Sequence, residues 1–247
     1  MATCPNCGDN FDRLGLHWWH GTCPYPELSE QQRQMLVGLL MGDGSIPDRT
    51  DNEIFHLPMI NRRFLRWFDE KMGVMTTGVS LKKTAAQLAA HNRESGFSPN
   101  AAVENYHDMY TVWTRTHPYI TELREWYATG EKRFPTDIEL SSTVAKFWYA
   151  CDGYLDFGRW GRPRAGIKAR NEQNRSAALE SLFEEAPVTP SYRRHELRFS
   201  CDDTERLIDW LGAPPPGFSY KWTIDSKDRY RSRKRTAYET YATHNGK

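Results

Sequence analysis

Leu36-Val37-Gly38-Leu39-Leu40-Met41-Gly42-Asp43-Gly44-Ser45 is apolar on every side of two helical turns and then halts on glycine and aspartate. A helix that is apolar all round is a buried one. Upstream, Ser29 followed by Gln32 is a capping-box pattern, so the helix begins there and runs to about Met41. Gly38 and Gly42 fall four apart on one face, where absent side chains let another backbone come close.

A second helix repeats the pattern. Ser141 caps it, residues 144–151 are largely apolar, and Asp152-Gly153 closes it. Both helices are preceded by Glu-Leu-Ser, at 27–29 and 139–141. After each come a strand-like stretch, an amphipathic helix (62–72; 175–184), further strands and a last helix (118–127; 203–211). The expected fold class is α+β, with two pseudo-symmetric α-β-β-α-β-β-α halves. Residues 83–106 end in a Gly-, Ser-, Pro- and Asn-rich stretch, read as an exposed loop between strands.

The strands carry charge on alternate residues. Arg164, Gly166, Lys168 and Arg170 interleave with Ala165, Ile167 and Ala169. Arg194, Glu196, Arg198 and Ser200 interleave with His195, Leu197, Phe199 and Cys201. Period two puts each set on one sheet face, so one face packs on helices and the other offers mainly cations. Residues 109–115, ending in Arg115, form a weaker version, with Lys82 on a neighbouring strand. Adjacent cationic stripes suit phosphate, which points to DNA or RNA.

Composition sets the outer limits. The 247 residues are 38% hydrophobic and 26% charged, with a net charge of +1, which fits a globular chain with a real core. The longest apolar run, 35–41, is far short of the roughly 20 residues that span a bilayer, so no membrane partner is expected. No basic-then-apolar secretory stretch opens the sequence, and the expected compartment is the cytoplasm. Charge is uneven: from Lys221 onward, eight Lys/Arg face Asp225, Asp228 and Glu239. The cluster Arg229, Arg231, Arg233, Lys234, Arg235 reads either as a phosphate-binding tail or as a solvated end.

Cys4-Pro-Asn-Cys7 and Cys23, with His17 and His20 between, form a cluster at the front. Zn²⁺ takes four N/S ligands in a tetrahedron. The three thiols supply three, and His17 is the preferred fourth, with His20 the alternative. Phe11, Leu14 and His17 echo the apolar plug and Leu-x2-His step of a zinc finger. So short a segment has no core of its own, and the metal would supply its folding energy.

The run 36–45 resembles the first LAGLIDADG motif of homing endonucleases, and Ala145-Lys146-Phe147-Trp148-Tyr149-Ala150-Cys151-Asp152-Gly153 is similar to the second. The approach Phe134-Pro135-Thr136-Asp137-Ile138-Glu139-Leu140-Ser141 fits the same family, and Pro216-Gly217-Phe218-Ser219-Tyr220-Lys221-Trp222 resembles its closing strand. The resemblance covers about residues 28–225. It divides the chain into a zinc-finger-like segment (1–27), a first half (28–140), a second half (141–225) and a basic tail (226–247). Phe147 stands where the first helix has Gly38, and Cys151 replaces the usual Ala or Gly before the aspartate.

The resemblance implies a central interface of the two motif helices beneath two DNA-binding sheets. It implies Asp43 and Asp152 as catalytic carboxylates holding Mg²⁺, with the carbonyls of Gly42 and Cys151 as further ligands. Lys132 and Lys221 hold matching places in the halves and are implied to polarise water or neutralise charge at the reacting phosphate. Lys82, Arg115, Arg164, Lys168, Arg170, Arg194 and Arg198 are the expected DNA contacts. The function implied is a monomeric, site-specific, Mg-dependent double-stranded DNA endonuclease of the intron-homing kind, leaving 3′ overhangs. The rival on the same fold is an RNA maturase bound to intron RNA, or a non-cleaving DNA-binding regulator. A third reading is a zinc-dependent interaction module on an inert scaffold.

Overall fold

The computed structural model describes residues 1–48, 53–158 and 160–243; the last residues of the expected basic tail, 244–247, lie outside them. In chain order the elements are β1 (Ala2–Thr3), β2 (Asn10–Phe11), α1 (Leu14–Trp19), α2 (Glu30–Met41), β3 (His56–Met59), α3 (Arg62–Met72), β4 (Thr76–Lys83), α4 (Ala85–Glu94), β5 (Met109–Thr114), α5 (Pro118–Leu123), α6 (Ser142–Asp152), β6 (Gly153–Phe157), β7 (Pro163–Lys168), α7 (Ser176–Ser181), β8 (Ser191–Arg193), β9 (Glu196–Arg198), α8 (Cys201–Leu211) and α9 (Lys227–Thr243). The chain divides into two compact units. Met1–Glu27, Ser45–Ile120 and Thr236–Lys247 form the first; Leu28–Gly44 and Thr121–Arg235 form the second. Among the described residues no helix is long and apolar enough to cross a membrane.

The second unit is built on α2 and α6. Ser29 Oγ accepts the Gln32 amide, and the Gln32 side chain accepts the Ser29 amide at 2.9 Å, a complete capping box. Ser141 caps α6 through the Val144 amide at 3.2 Å. Leu36, Leu39 and Leu40 of α2 and Trp148, Tyr149 and Ala150 of α6 have no exposed surface. The helices meet backbone to backbone. A Cβ on Gly38 would lie 2.3 Å from the Val144 carbonyl oxygen and 2.9 Å from Phe147 Cβ. A Cβ on Gly42 would lie 2.3 Å from Cys151 Cβ. Gly38 faces the bulkier Phe147, so the crossing is asymmetric.

The sheet of this unit is antiparallel in the order β6-β7-β9-β8. Leu155, Phe157, Ala165, Ile167 and Leu197 turn inward. The first unit's sheet has the order β3-β5-β4, and an isolated bridge from Ser45 to His56 stands where a further strand would pair with β3. Counting that bridge as a strand, both sheets follow one order: first, second, fourth, third. The expected α-β-β-α-β-β-α unit is complete in the second half and shortened to one bridge in the first.

Several local expectations are corrected. The stretch read as a strand from Arg194 is a hairpin instead. Arg193 pairs with Glu196, and Arg194 (φ 53°) and His195 (φ 69°) make the two-residue turn between β8 and β9. Positive φ at both central residues is the type I′ pattern, which favours Asn-Gly. An Asn-Gly pair at 194–195 is expected to stabilise the chain by ~1 kcal/mol, read as a higher urea midpoint at unchanged m-value. Cys201 opens α8 behind the Ser200 cap rather than ending a strand. Ahead of the stretch read as an exposed loop, residues 85–94 form α4 with a Thr84–Gln87 capping box. The expected helix 175–184 is only α7, entered through a 3₁₀ turn at Arg170–Arg175. The expected closing strand is a 3₁₀ turn, Ser219–Trp222.

Candidate catalytic and metal sites

Asp43 and Asp152 follow the buried turns of α2 and α6. Asp152 Oδ2 lies 3.5 Å from where a Gly42 Cβ would stand, so the missing side chain leaves the carboxylate its room. Gly153 is needed as well: a Cβ there would overlap the Tyr149 carbonyl at 2.3 Å. Asp43 is exposed and Asp152 half-buried, so both are within reach of a cation or a substrate. Surrounding protein raises Asp43 above the usual carboxylate range, against the pull of Lys221 and Lys132. Burial, then the charge of Asp43, lifts Asp152 to about 7.

Each helix end is held by a lysine. Lys132 Nζ donates to the carbonyls of Leu40 (2.8 Å), Gly42 (2.7 Å) and Gly44 (3.0 Å). Lys221 Nζ donates to those of Ala150 (2.7 Å) and Cys151 (3.0 Å). The last carbonyls of a helix lack intrahelical partners and carry its negative dipole end, which an ammonium satisfies. Burial lowers both lysines, Lys221 to about 8, while the aspartates and Cys151 oppose the shift. The carbonyls of Gly42 and Cys151, expected as metal ligands, are thus lysine acceptors here. The Cys151 thiol is pushed well above its ordinary range by burial.

A cavity of about 230 Å³ opens beside Asp152 and Lys132, lined also by Gly42, Lys168, Arg170 and Glu172. Glu172 was not singled out in the sequence. Only 1% exposed, it accepts the Phe134 amide at 3.3 Å and the Arg175 guanidinium at 3.0 Å. Arg133 Nη1 donates to the Asn171 carbonyl close by. These bonds tie residues 133–134 to the 3₁₀ turn that follows β7 and so place Lys132. No local pattern marks an acid that is buried by tertiary pairing.

The remaining candidates scatter. Arg164 and Arg198 line a separate cavity of about 410 Å³ with Arg193, a residue the misread hairpin had hidden. Their sheet face carries Arg164, Lys168, Arg193 and Arg198, interrupted by two acids. Asp156 sits opposite Arg164, Glu196 sits opposite Lys168, and Arg198 Nε donates to Glu196 at 2.6 Å. The face is mainly cationic, and its acids make it less so than the alternating pattern implied. Arg194 is at the turn. In the first unit Lys82 is exposed on β4 beside a bulge. Arg115, expected on the sheet face, is turned inward: Nη1 donates to the carbonyls of Val74 at 2.7 Å and Thr76. The open face of that sheet carries a His56–Trp113 stack at 3.8 Å instead.

At the front of the first unit, the ligand atoms of Cys4, Cys7, His17 and Cys23 lie within 4.8 Å of one another. His20 is not in the group. Cys4 N–H donates to Asp9 at 2.8 Å and Gly8 N–H to Cys4 at 2.9 Å, which curls the Cys-x2-Cys turn. Phe11 stacks on His17 at 3.9 Å and fixes its ring. Burial raises the Cys4 thiol, but bonds from the Cys7 and Asn6 amides prevail and bring it to about 6. Burial and the neighbouring sulfurs lift Cys23 to about 11.

No protein-family profile matches the chain. The homing endonuclease I-WcaI, solved bound to its DNA recognition sequence, superposes with a TM-score of 0.65 at 12% identity over 81% of this chain and 89% of that one. The fold is that of a LAGLIDADG homing endonuclease. At such identity the likeness carries the fold and no further. The N-terminal LAGLIDADG domain of WhiA aligns at TM-score 0.47 and 9% identity, over 84% of this chain and 90% of that one. In sequence, the uncharacterized protein MJ1098 of Methanocaldococcus jannaschii is 26% identical over 135 residues. That match takes in 52% of this chain and 45% of the other, so the chain spans about half that relative's length.

Proposed function

We propose that the chain is a site-specific, Mg-dependent endonuclease of double-stranded DNA that acts as a monomer. The observation that supports it best is the pair Asp43 and Asp152, set at the ends of two helices in backbone contact, with a lysine clamped behind each. Asp43, raised by the surrounding protein, and Asp152, raised by burial and by the Asp43 charge, are an all-oxygen donor pair that suits a hard divalent cation. Bound there, Mg²⁺ would activate water and stabilise the leaving oxygen of an in-line displacement.

The chain's own residues supply the rest. Asp43 and Asp152 would hold the cation, and the Gly42 and Cys151 carbonyls, each already accepting from a lysine, would be its further oxygen donors. Lys132 spends its N–H donors on carbonyls to either side of Asp43 and keeps that peptide in place. Lys221 does the same ahead of Asp152. Both also offset charge that grows on the phosphate. Lys168 and Arg170, at the rim of the same cavity, take the backbone on either side.

Selection for cutting within a library of randomised duplexes tests this reading. Ends with 3′ overhangs should be recovered in magnesium and none in calcium. Tight duplex retention without ends would favour a non-cleaving regulator, and retention of intron RNA alone a maturase.

We also assign the Cys4, Cys7, His17, Cys23 cluster to structural Zn²⁺. Its fit rests on a sulfur-rich donor set whose ligand atoms lie within 4.8 Å of one another, and on a ring fixed by stacking. The purified chain should carry zinc in equal molar amount by elemental analysis. Chelation, or Cys4→Ser, should cost at least ~2 kcal/mol, about 5 °C in melting temperature at this length. An unchanged melting curve and no zinc would remove the assignment.

A further inference from the structure

We propose that the outward row of α9, Arg231, Lys234 and Arg235, is a second phosphate-binding surface that grips the DNA backbone outside the cutting site. It rests on the duplex-binding part of the function proposed above and adds a contact that neither the motif helices nor the sheet faces provide.

This segment is a docked helix rather than a loose tail. Tyr230 packs against Phe157 with ring centroids 5.4 Å apart and against Tyr220 at 6.3 Å. Arg233 Nη1 donates to Thr223 Oγ1 at 2.9 Å, and Arg229 is paired with Asp225. Those contacts use the inward cations. Arg231, Lys234 and Arg235 are exposed, and none of them has a carboxylate partner among the described residues. Lys234 lies 5.9 Å above the Tyr230 ring, a contact that holds its ammonium without neutralising it. Arg231 and Arg235 are one turn apart, about 6 Å on a helix surface. Duplex DNA carries a charge every ~1.7 Å of axis, so a row so spaced meets more than one phosphate.

Two further observations select the ligand. The outward side of this stretch also carries Ser232 and Thr236 and no apolar side chain, because Tyr230 is turned inward; a helix that lies in a lipid surface needs an apolar face free to enter it. The open face of the β6–β9 sheet has two of its cations facing or bonded to Asp156 and Glu196, whereas the α9 row has no such partners, so the row adds unneutralised charge that draws a polyanion.

The test is fluorescence anisotropy of the full chain on a labelled duplex of arbitrary sequence, with sodium chloride raised from about 50 to about 200 mM. The triple variant Arg231→Ala, Lys234→Ala, Arg235→Ala should flatten the slope of log Kobs against log salt by about 2 to 3, one phosphate per cation lost. Its melting curve should match that of the parent chain. Arg63→Ala with Arg66→Ala, on exposed cations of α3, is the control and should leave the slope nearly unchanged. A parent that binds the duplex with a triple variant of equal slope overturns this proposal alone. So does an equal loss in the control, or a loss confined to phosphatidylserine vesicles or RNA. A parent that binds no duplex removes the endonuclease reading and this surface with it.

Discussion

Asp152→Asn is expected to abolish the proposed cutting and at the same time to raise the melting temperature of the metal-free chain. The first effect follows from the loss of half the carboxylate pair: a fall of at least about a thousand-fold in rate, ~4 kcal/mol of barrier. The second follows from where the carboxylate sits. Burial and the Asp43 charge lift Asp152 from 3.8 to about 7, against Lys132 and Lys221. The folded state therefore binds this proton more tightly than the unfolded chain does. As pH rises from near 4 to near 7, the wild type loses stability through this group, and above 7 the loss is complete and constant. Asparagine has nothing to ionise. The variant's advantage should be absent near pH 4, open across that window and stay level at pH 8. Magnesium should narrow it by stabilising only the wild type. Calorimetry across pH and a cutting assay read the two halves separately. A variant that still cuts, or that melts below the wild type at pH 8, refutes the account.

Gly38→Ala should be among the most damaging single-methyl changes in the protein. Alanine favours a helix over glycine by about 1 kcal/mol. Against that, the new Cβ would stand 2.3 Å from the Val144 carbonyl oxygen and 2.9 Å from Phe147 Cβ, both fixed parts of α6. The helices must separate, and well-packed interiors resist that. A net loss of ~3 kcal/mol or more is expected, about 10 °C for a chain of this length. Because Asp43 and Asp152 sit on those helices, any protein that still folds should cut about a hundred-fold more slowly. Gly158→Ala is the control: among the described residues beyond its chain neighbours no atom lies within 4 Å of its Cβ, and stability should hold. Equal melting curves for the two variants would show that the helices do not depend on this approach.

The parts legible in the sequence are those fixed by near neighbours. Ser29 and Gln32 cap α2 across three residues, Gly38 and Gly42 share a face, and the Cys-x2-Cys turn closes on itself; each is stated by adjacent residue types. The β8–β9 hairpin was hidden for a specific reason. A two-residue turn is even, so polar Arg194, Glu196 and Arg198 keep alternating with His195, Leu197 and Phe199 straight through the reversal. With no glycine at the turn, nothing announced it. The inward turn of Arg115 and the burial of Glu172 were invisible for another reason, since both depend on carbonyls, amides or charges distant in the chain. Lys132 and Lys221 were found by position, but their grip on helix-end carbonyls was not, because the sequence does not say where an ammonium points.

The checkered face of the β6–β9 sheet bears on how a cutter of long DNA would find its place. A uniformly positive surface clings to any backbone and scans slowly. Here Asp156 and Glu196 offset part of the pull of Arg164, Lys168, Arg193 and Arg198. Excursions along wrong tracts would be brief, and the residence clock would run long only where donors and acceptors on both molecules fall into step.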